Sequence, residues 1–148
     1  NNFSLDYIPE ELGNPLGEEI LTPTKIYVPF IKTILSRNLP IKGCVHITGG
    51  GFIDNIPRVL PKNCKAVIEK GSWEILPIFG FIQKLGNVSE EEMFRVFNCG
   101  IGFILIISED VLEEIKNLIF ALGEKCYVIG YIDKRDEKEK QVVFVEKE

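Results

Sequence analysis

Residues 43–60 read GCVHITGGGFIDNIPRVL, and this segment predicts the local architecture around which the rest of the chain is arranged. Gly43 to Thr48 is short and partly β-branched, which is typical of a buried strand. Three consecutive glycines, Gly49 to Gly51, then break the apolar pattern. Phe52 to Leu60 predicts a short helix that Pro57 and Pro61 keep from extending. The sequence therefore predicts a strand, a glycine loop and a helix in direct succession.

The glycine loop is the first candidate for a binding function. Three glycines in a row lose much backbone entropy on folding and bring no side chain into the packing, so we expect something to occupy the space beside them. Between a strand end and a helix start, their N–H groups suit a phosphate or a carboxylate. A tight turn, or close packing of helix against strand, accounts for the same glycines without a ligand. Because the loop matches neither the P-loop nor the dinucleotide fingerprint, both interpretations stay open.

His46 is the only histidine of the chain. Strand alternation predicts that it lies on the same side as Thr48 and opposite Val45 and Ile47. A lone histidine on a strand is commonly structural. Three residues before the glycines, however, it is also a candidate proton donor or anion ligand.

Two further motifs offer polar groups. Asn55 and Arg58 are spaced i and i+3 on the predicted helix, so both can face one side, and Arg58 is either a two-point phosphate clamp or half of a surface salt bridge. The segment 98–102, Asn-Cys-Gly-Ile-Gly, allows close backbone approach, although a helix stop at Asn98 and Gly100 explains it without a ligand. Cys99 has no basic neighbour in sequence, which predicts an ordinary core-facing thiol.

The remaining proline, glycine and capping residues, together with the spacing of the hydrophobic residues, predict an alternation of helices and strands. Prolines and glycines predict an irregular arm over residues 1–24. Capping signals at Ser89, with Glu92 completing a capping box, and at Ser108 predict two helix starts. Helices are expected over 26–39, 77–85, 89–98 and 108–122, with Gly86 just past the end of the second. Strands are expected at 66–68, 127–132 and 141–145, the last two as a hairpin across the charged turn 134–140, and a fully buried strand at 100–107.

Composition narrows the function classes. A chain of 148 residues, 45% of them hydrophobic, can bury one core, and a net charge of −5 disfavours nucleic acid as a partner. Four cysteines without a Cys-x-x-Cys pair, and a single histidine, predict no metal site. No leader pattern or long apolar run is found, which predicts a cytoplasmic protein without a membrane partner. Because the chain opens on Asn1 rather than Met, we expect a fragment of something longer.

Seven ordered motifs between about Leu12 and Ile132 resemble one known family. They are PLGE (15–18), LTPTKIYV (21–28), HITGGG (46–51), NIPRVLP (55–61), GSW (71–73), GNVSEEEM (86–93) and FNCGIG (97–102). Together they resemble the C-terminal half of the phosphoribosylformylglycinamidine cyclo-ligase family, also called aminoimidazole ribonucleotide synthetase.

The resemblance implies an α+β fold, namely a three-layer α/β/α domain with a mixed sheet that is partly ferredoxin-like. Residues 25–148 would form this C-terminal domain and residues 1–24 the arm, without the N-terminal barrel domain that binds most of the ATP and Mg²⁺ in the family. Family members are homodimers that convert formylglycinamidine ribonucleotide to aminoimidazole ribonucleotide in de novo purine biosynthesis. This chain alone is therefore expected to be inactive and to need its own N-terminal domain and a phosphorylated small-molecule substrate.

The resemblance also implies roles for individual residues. His46 is the candidate catalytic residue, helping to place or protonate the reacting group. The candidate substrate- or phosphate-binding residues are Thr48, Gly49, Gly50, Gly51, Asn55, Arg58, Asn98 and Gly100, with no metal ligand among them. The alternatives are a non-catalytic phosphate- or nucleotide-binding module of the same superfamily, or a related enzyme such as selenophosphate synthetase; the motifs at 55–61 and 97–102 favour the cyclo-ligase.

Overall fold

A computed structural model describes residues 3–147; the first two residues of the predicted arm and Glu148 lie outside the described chain. Six α-helices are found in this part of the chain: α1 Leu16–Leu21, α2 Val28–Ser36, α3 Gly51–Asn55, α4 Pro77–Gly86, α5 Glu90–Val96 and α6 Leu112–Ala121. The five strands are β1 Ile41–His46, β2 Cys64–Lys70, β3 Phe103–Ile107, β4 Gly130–Lys134 and β5 Val142–Glu146. Single 3₁₀ turns cover Ile56–Arg58 and Glu109–Val111.

The strands form two separate sheets. β1 pairs with β3 in antiparallel fashion, with His46 opposite Phe103. The second sheet has the order β4-β2-β5, in which β4 is antiparallel and β5 parallel to β2. The predicted α+β class and mixed sheet are therefore confirmed.

The predicted hairpin between the last two strands is wrong, because β2 lies between them. Ala66, Val67 and Ile68 of β2 are all buried, and an apolar strand of this kind gains most by pairing along both of its edges. The charged segment between β4 and β5 is long enough to cross β2. Arg135 fastens it there by donating from its guanidinium to the carbonyl oxygens of Lys62 at 2.6 Å and Glu137 at 3.1 Å.

The N-terminal arm is less irregular than predicted, because it contains α1. Pro15 immediately precedes the helix, where a missing N–H costs nothing. The segment before it folds back, since Leu16 N donates to Tyr7 O and Gly17 N to Leu5 O, both at 2.8 Å.

Four other local predictions need correction. Ser108 makes no side-chain cap, because the 3₁₀ turn separates it from α6. β3 is half-buried along its whole length rather than fully buried, having only β1 as a partner. The strand expected at 127–132 begins at Gly130. Gly86 is the last residue of α4, and Asn87 instead takes the left-handed conformation, with φ 47°.

The core forms directly behind the glycine loop. Phe52, the second residue of α3, has no exposed surface, and its ring lies 5.7 Å from those of Trp73 and Phe94 and 5.9 Å from that of Phe144. Burial of such a ring contributes about 3–5 kcal/mol, judged by the cost of truncating it. Ser89 caps α5 as predicted, with Glu92 N donating to Ser89 Oγ at 3.3 Å. Within residues 3–147 the reciprocal bond that would complete a capping box is not formed, because the Glu92 carboxylate instead faces Arg95 Nε at 3.4 Å. These contacts fix α3 and α5, and hence the loops at their ends.

Candidate functional site

The glycine loop leaves β1 and turns sharply into α3. Gly50 and Gly51 have φ values of 96° and 51°, in the left-handed region that favours glycine. Gly49 is exposed, and a side chain there would meet nothing within 4 Å. Gly51 N donates to Thr48 O at 3.0 Å, which closes the turn.

Gly51 also permits a close approach between two helices. A Cβ at this position would overlap the carbonyl oxygen of Phe94 and lie 2.8 Å from that of Phe97. Both carbonyls belong to the end of α5, so any side chain at position 51 would push α5 away from α3. This glycine therefore serves close packing without a ligand, but of helix against helix rather than of helix against strand as considered from sequence.

Asn55 lies behind the loop, with 3% of its surface exposed. Its Nδ2 donates to the carbonyl oxygens of Thr48 and Gly49, both at 3.3 Å, and of Gly51 at 2.8 Å. Of the two ends of the carboxamide, the nitrogen must face these carbonyls, because the oxygen cannot donate. Its two protons serve the three acceptors through one shared bond. The side chain thus holds the loop from the protein side.

His46 is exposed at the end of β1 on the same side as Thr48, whereas Val45 and Ile47 are buried, as strand alternation predicts. Its ring centroid lies 5.7 Å from that of Tyr27, edge-on, and 6.1 Å from that of Phe103. Tyr27 and Phe103 also contact each other, with centroids 5.3 Å apart. The imidazole therefore stands beside an aromatic pair with one side open to solvent.

Tyr27 was missed by reasoning from sequence. It precedes α2 and reaches His46 only because Gly102 has no side chain: a Cβ there would overlap the Tyr27 hydroxyl. Burial raises the pKa of this phenol. The second glycine of the 98–102 motif was the available signal, since it indicates that another group comes close.

A second glycine turn lies at 98–102. Asn98 Oδ1 accepts from Gly100 N at 3.1 Å, and Cys99 and Gly100 have φ values of 46° and 96°. Trp73 Nε1 donates to Cys99 O at 2.9 Å and anchors the turn to the core. The Asn98 carboxamide oxygen is therefore committed to shaping its own turn.

The two glycine turns lie side by side. Ile47 N donates to Gly102 O at 2.9 Å, and Gly51 lies against the Phe97 carbonyl, next to Asn98. The structure thus brings together the predicted residues 46–51, 55 and 98–100, which come from two distant parts of the chain.

Asp54 borders the loop and was not considered as a site residue from sequence. A Cβ on Gly50 would lie 2.7 Å from Asp54 Cβ and 3.0 Å from Asp54 Oδ2. This carboxylate opposes a free anion at Gly50, because like charges repel across short distances. It accepts hydrogen bonds readily, so it suits a hydroxyl-bearing ligand beside the loop.

Residues 3–143 match the family described as AIR synthase related protein, C-terminal domain. This chain belongs to that family. Both glycine turns therefore lie within an AIR synthase related C-terminal domain.

Named relatives of the family are closely similar to this chain. Phosphoribosylformylglycinamidine cyclo-ligase of Desulfotalea psychrophila is 49% identical over 98% of the chain and 41% of the relative. The proteins of that name from Thermoanaerobacter sp. and Bacillus velezensis are 53% and 51% identical, over 89% and 91% of the chain and 39% and 38% of the relatives. The chain therefore spans about two fifths of the length of these relatives.

Arg58 of this AIR synthase related domain ends the 3₁₀ turn after α3 and is exposed. Within residues 3–147 it takes part in no salt bridge, so the surface ion pair considered from sequence is not formed there. It lies at the opposite end of α3 from the glycine loop, so the described structure does not place its guanidinium in contact with the other predicted site residues.

The chemistry of the Cys99 thiol follows from its position in the second glycine turn. Cys99 is buried, and burial raises its pKa to about 11, so its thiol is the unreactive group that the sequence predicts. No cluster of three or more His, Cys, Asp or Glu side chains able to hold a metal occurs among residues 3–147. No helix in that range is long and apolar enough to cross a membrane.

A cavity of about 1220 Å³ lies between the two sheets. It is bounded by α2, β3 and α6 on one side and by β2 and β4 on the other, with Ile34, Ile68, Ile104 and Ile115 among its walls. Of the predicted site residues in the described chain, only Gly100 lines it. His46 instead ends β1 opposite Phe103, and the glycine loop follows directly from it.

Proposed function

We propose that this chain forms the C-terminal part of an ATP-dependent cyclo-ligase, which converts formylglycinamidine ribonucleotide to aminoimidazole ribonucleotide in de novo purine biosynthesis. The observation that carries the proposal is the hydrogen bond from Ile47 N to Gly102 O, because it joins the HITGGG and FNCGIG motifs into one surface. The named relatives, at about half identity, carry the same enzyme name.

The substrate phosphate is proposed to bind at the glycine loop. Gly49 and Thr48 are exposed, and N–H groups of a glycine turn suit phosphate oxygens. Arg58 would supply the opposing charge in bidentate geometry. Asp54 would accept from a ribose hydroxyl, which explains how a carboxylate and a phosphate share this edge.

His46 is the proposed catalytic residue. In the reaction, the formamide oxygen of the substrate is phosphorylated at the expense of ATP and becomes a leaving group. An internal nitrogen then attacks the same carbon and closes the imidazole ring, releasing ADP and phosphate. His46, steadied by Tyr27 and Phe103, would place or protonate the reacting group from the open side of its ring. Asn98 and Gly100 would form the adjoining wall.

ATP and Mg²⁺ are proposed to bind mainly outside residues 3–147, since this range offers no metal-holding cluster. Bound with ATP, Mg²⁺ would supply charge neutralisation for phosphoryl transfer. An N-terminal barrel domain and a homodimer, as in the family that the motifs resemble, would complete the enzyme. We accordingly propose that the 148 residues alone do not catalyse the reaction.

The test uses the protein expressed from its full coding sequence and measures aminoimidazole ribonucleotide formed from formylglycinamidine ribonucleotide and ATP. Arg58→Ala should raise KM by about tenfold or more, as expected for a charge-assisted contact, with partial recovery in Arg58→Lys. Arg37→Ala, an exposed arginine at the end of α2, is the matched control. No product from the unsubstituted protein would refute the function, whereas an unchanged KM in Arg58→Ala would refute the clamp alone.

A further inference from the structure

Asn55 is the one polar side chain among the buried residues of the described chain. Its three acceptors, the carbonyls of Thr48, Gly49 and Gly51, all belong to the glycine loop. A buried amide is costly unless it is hydrogen-bonded, so this side chain and the loop conformation stabilise each other.

The direction of these carbonyls decides where the loop amides point. In a trans peptide the C=O and the following N–H lie in one plane and point in opposite directions. With the Thr48 and Gly49 carbonyls turned toward Asn55, the N–H groups of Gly49 and Gly50 point away from it. Among residues 3–147 neither N–H has a protein acceptor.

We propose that Asn55 is a positioning residue that holds the glycine loop with the amides of Gly49 and Gly50 facing the ligand. It acts on the substrate only through these amides and replaces the direct contact that the family resemblance implies for it. The identity of the ligand, the phosphate of a ribonucleotide, rests on the proposed function.

The packing of α3 allows the effect of Asn55 on the loop to be distinguished from an effect on the stability of the whole domain. Phe52 and Ile56, on either side of Asn55, are 0% and 2% exposed and anchor α3 to the core independently of the loop. Loss of the Asn55 amide therefore removes its hydrogen bonds to the three loop carbonyls while the helix stays attached. We expect local opening of the loop at a cost well below that of global unfolding.

The experiment compares hydrogen–deuterium exchange in the ligand-free protein, expressed from its full coding sequence, with and without Asn55→Ala. Exchange across residues 46–56 should become about tenfold faster or more, because three hydrogen bonds to the loop are lost. Exchange across β2 should not change. Asn117→Ala, at an exposed position on α6, is the matched control and should alter neither segment. In the cyclo-ligase assay, KM for formylglycinamidine ribonucleotide should rise by about tenfold with a smaller change in kcat.

Several results would overturn the inference: unchanged exchange across 46–56, equal loosening of β2, or an unchanged KM despite a loosened loop. Asn55→Ser keeps a donor with shorter reach and should give intermediate exchange. If both variants fail to fold, the side chain serves the whole fold and the inference is wrong. Absence of cyclo-ligase activity in the unsubstituted protein would refute the proposed function, and the exchange result would still decide the role of Asn55.

Discussion

The hydroxyl of Tyr27 occupies the space that a side chain at Gly102 would fill. The ring of the same tyrosine lies edge-on to His46. The absence of a side chain at Gly102 therefore allows Tyr27 to contact the candidate catalytic residue. Tyr27, the residue before α2, therefore contacts the β1–β3 pair at the candidate site.

Gly102→Ala should consequently displace Tyr27. We expect a loss of about 1–3 kcal/mol in the free energy of unfolding, as for other overpacking substitutions, measured by urea denaturation. In a Tyr27→Phe background the cost should be smaller, because the closest atom is gone. Gly80→Ala is the control: it lies in α4 with open space around it and should stabilise by about 0.5–1 kcal/mol. Equal costs of Gly102→Ala in both backgrounds would contradict the contact.

Gly51→Ala should be more severe. The new Cβ would overlap the Phe94 carbonyl, and the backbone has φ 51°, so we expect a loss of about 3 kcal/mol in the free energy of unfolding. Gly49→Ala, in the same loop but with open space around it, should change the unfolding free energy by less than about 0.5 kcal/mol. Similar losses in the two variants would show that the loop, rather than the α3–α5 contact, requires glycine.

Cys99 should resist alkylation in the folded protein. With a pKa of about 11, only about one thiol in a thousand is ionised near pH 8, and the thiol is buried. Iodoacetamide labelling followed by peptide mass spectrometry should show modification at least about a hundredfold slower than in urea-unfolded protein. Rapid labelling of the native protein would mean that the turn at 98–100 opens readily.

Glu139 should make the β4–β5 connection sensitive to acid. Its carboxylate accepts from Lys65 Nζ and from Asp136 N, both at 2.9 Å, and these bonds lower the pKa of Glu139 below its ordinary value of 4.5. A group with a lowered folded-state pKa stabilises the fold above its unfolded pKa, and the contribution is lost as the pH falls through the folded value.

We therefore expect Glu139→Gln to be slightly less stable than the parent at neutral pH and to converge with it in acid. The effect is small because the group is exposed and screened by water. Thermal unfolding across the acidic range measures it, and Glu137→Gln, at an exposed neighbouring position, is the control. A difference between Glu139→Gln and the parent that persisted in strong acid would contradict the assignment.

Sequence patterns that span only a few residues predicted much of the fold. The alternation around His46, the N-cap at Ser89 and the proline at the start of α4 were all predicted correctly, because each depends on contacts inside one or two turns of backbone. The glycine loop was likewise located correctly between β1 and α3. Its ligand-facing residues remain proposals.

The sequence by itself determined the two glycine turns, the helices that follow residue 25 and the motifs that carry the family resemblance, but not α1. Tertiary structure alone decided that β2 separates β4 from β5, that Tyr27 meets His46, and that Asn55 is committed to the loop carbonyls. The physical reason is the separation in sequence over which each kind of interaction acts. Local steric and hydrogen-bond preferences act between near neighbours, whereas strand order and side-chain partners are settled by competition among segments far apart in sequence, where burial of apolar surface outweighs any local preference.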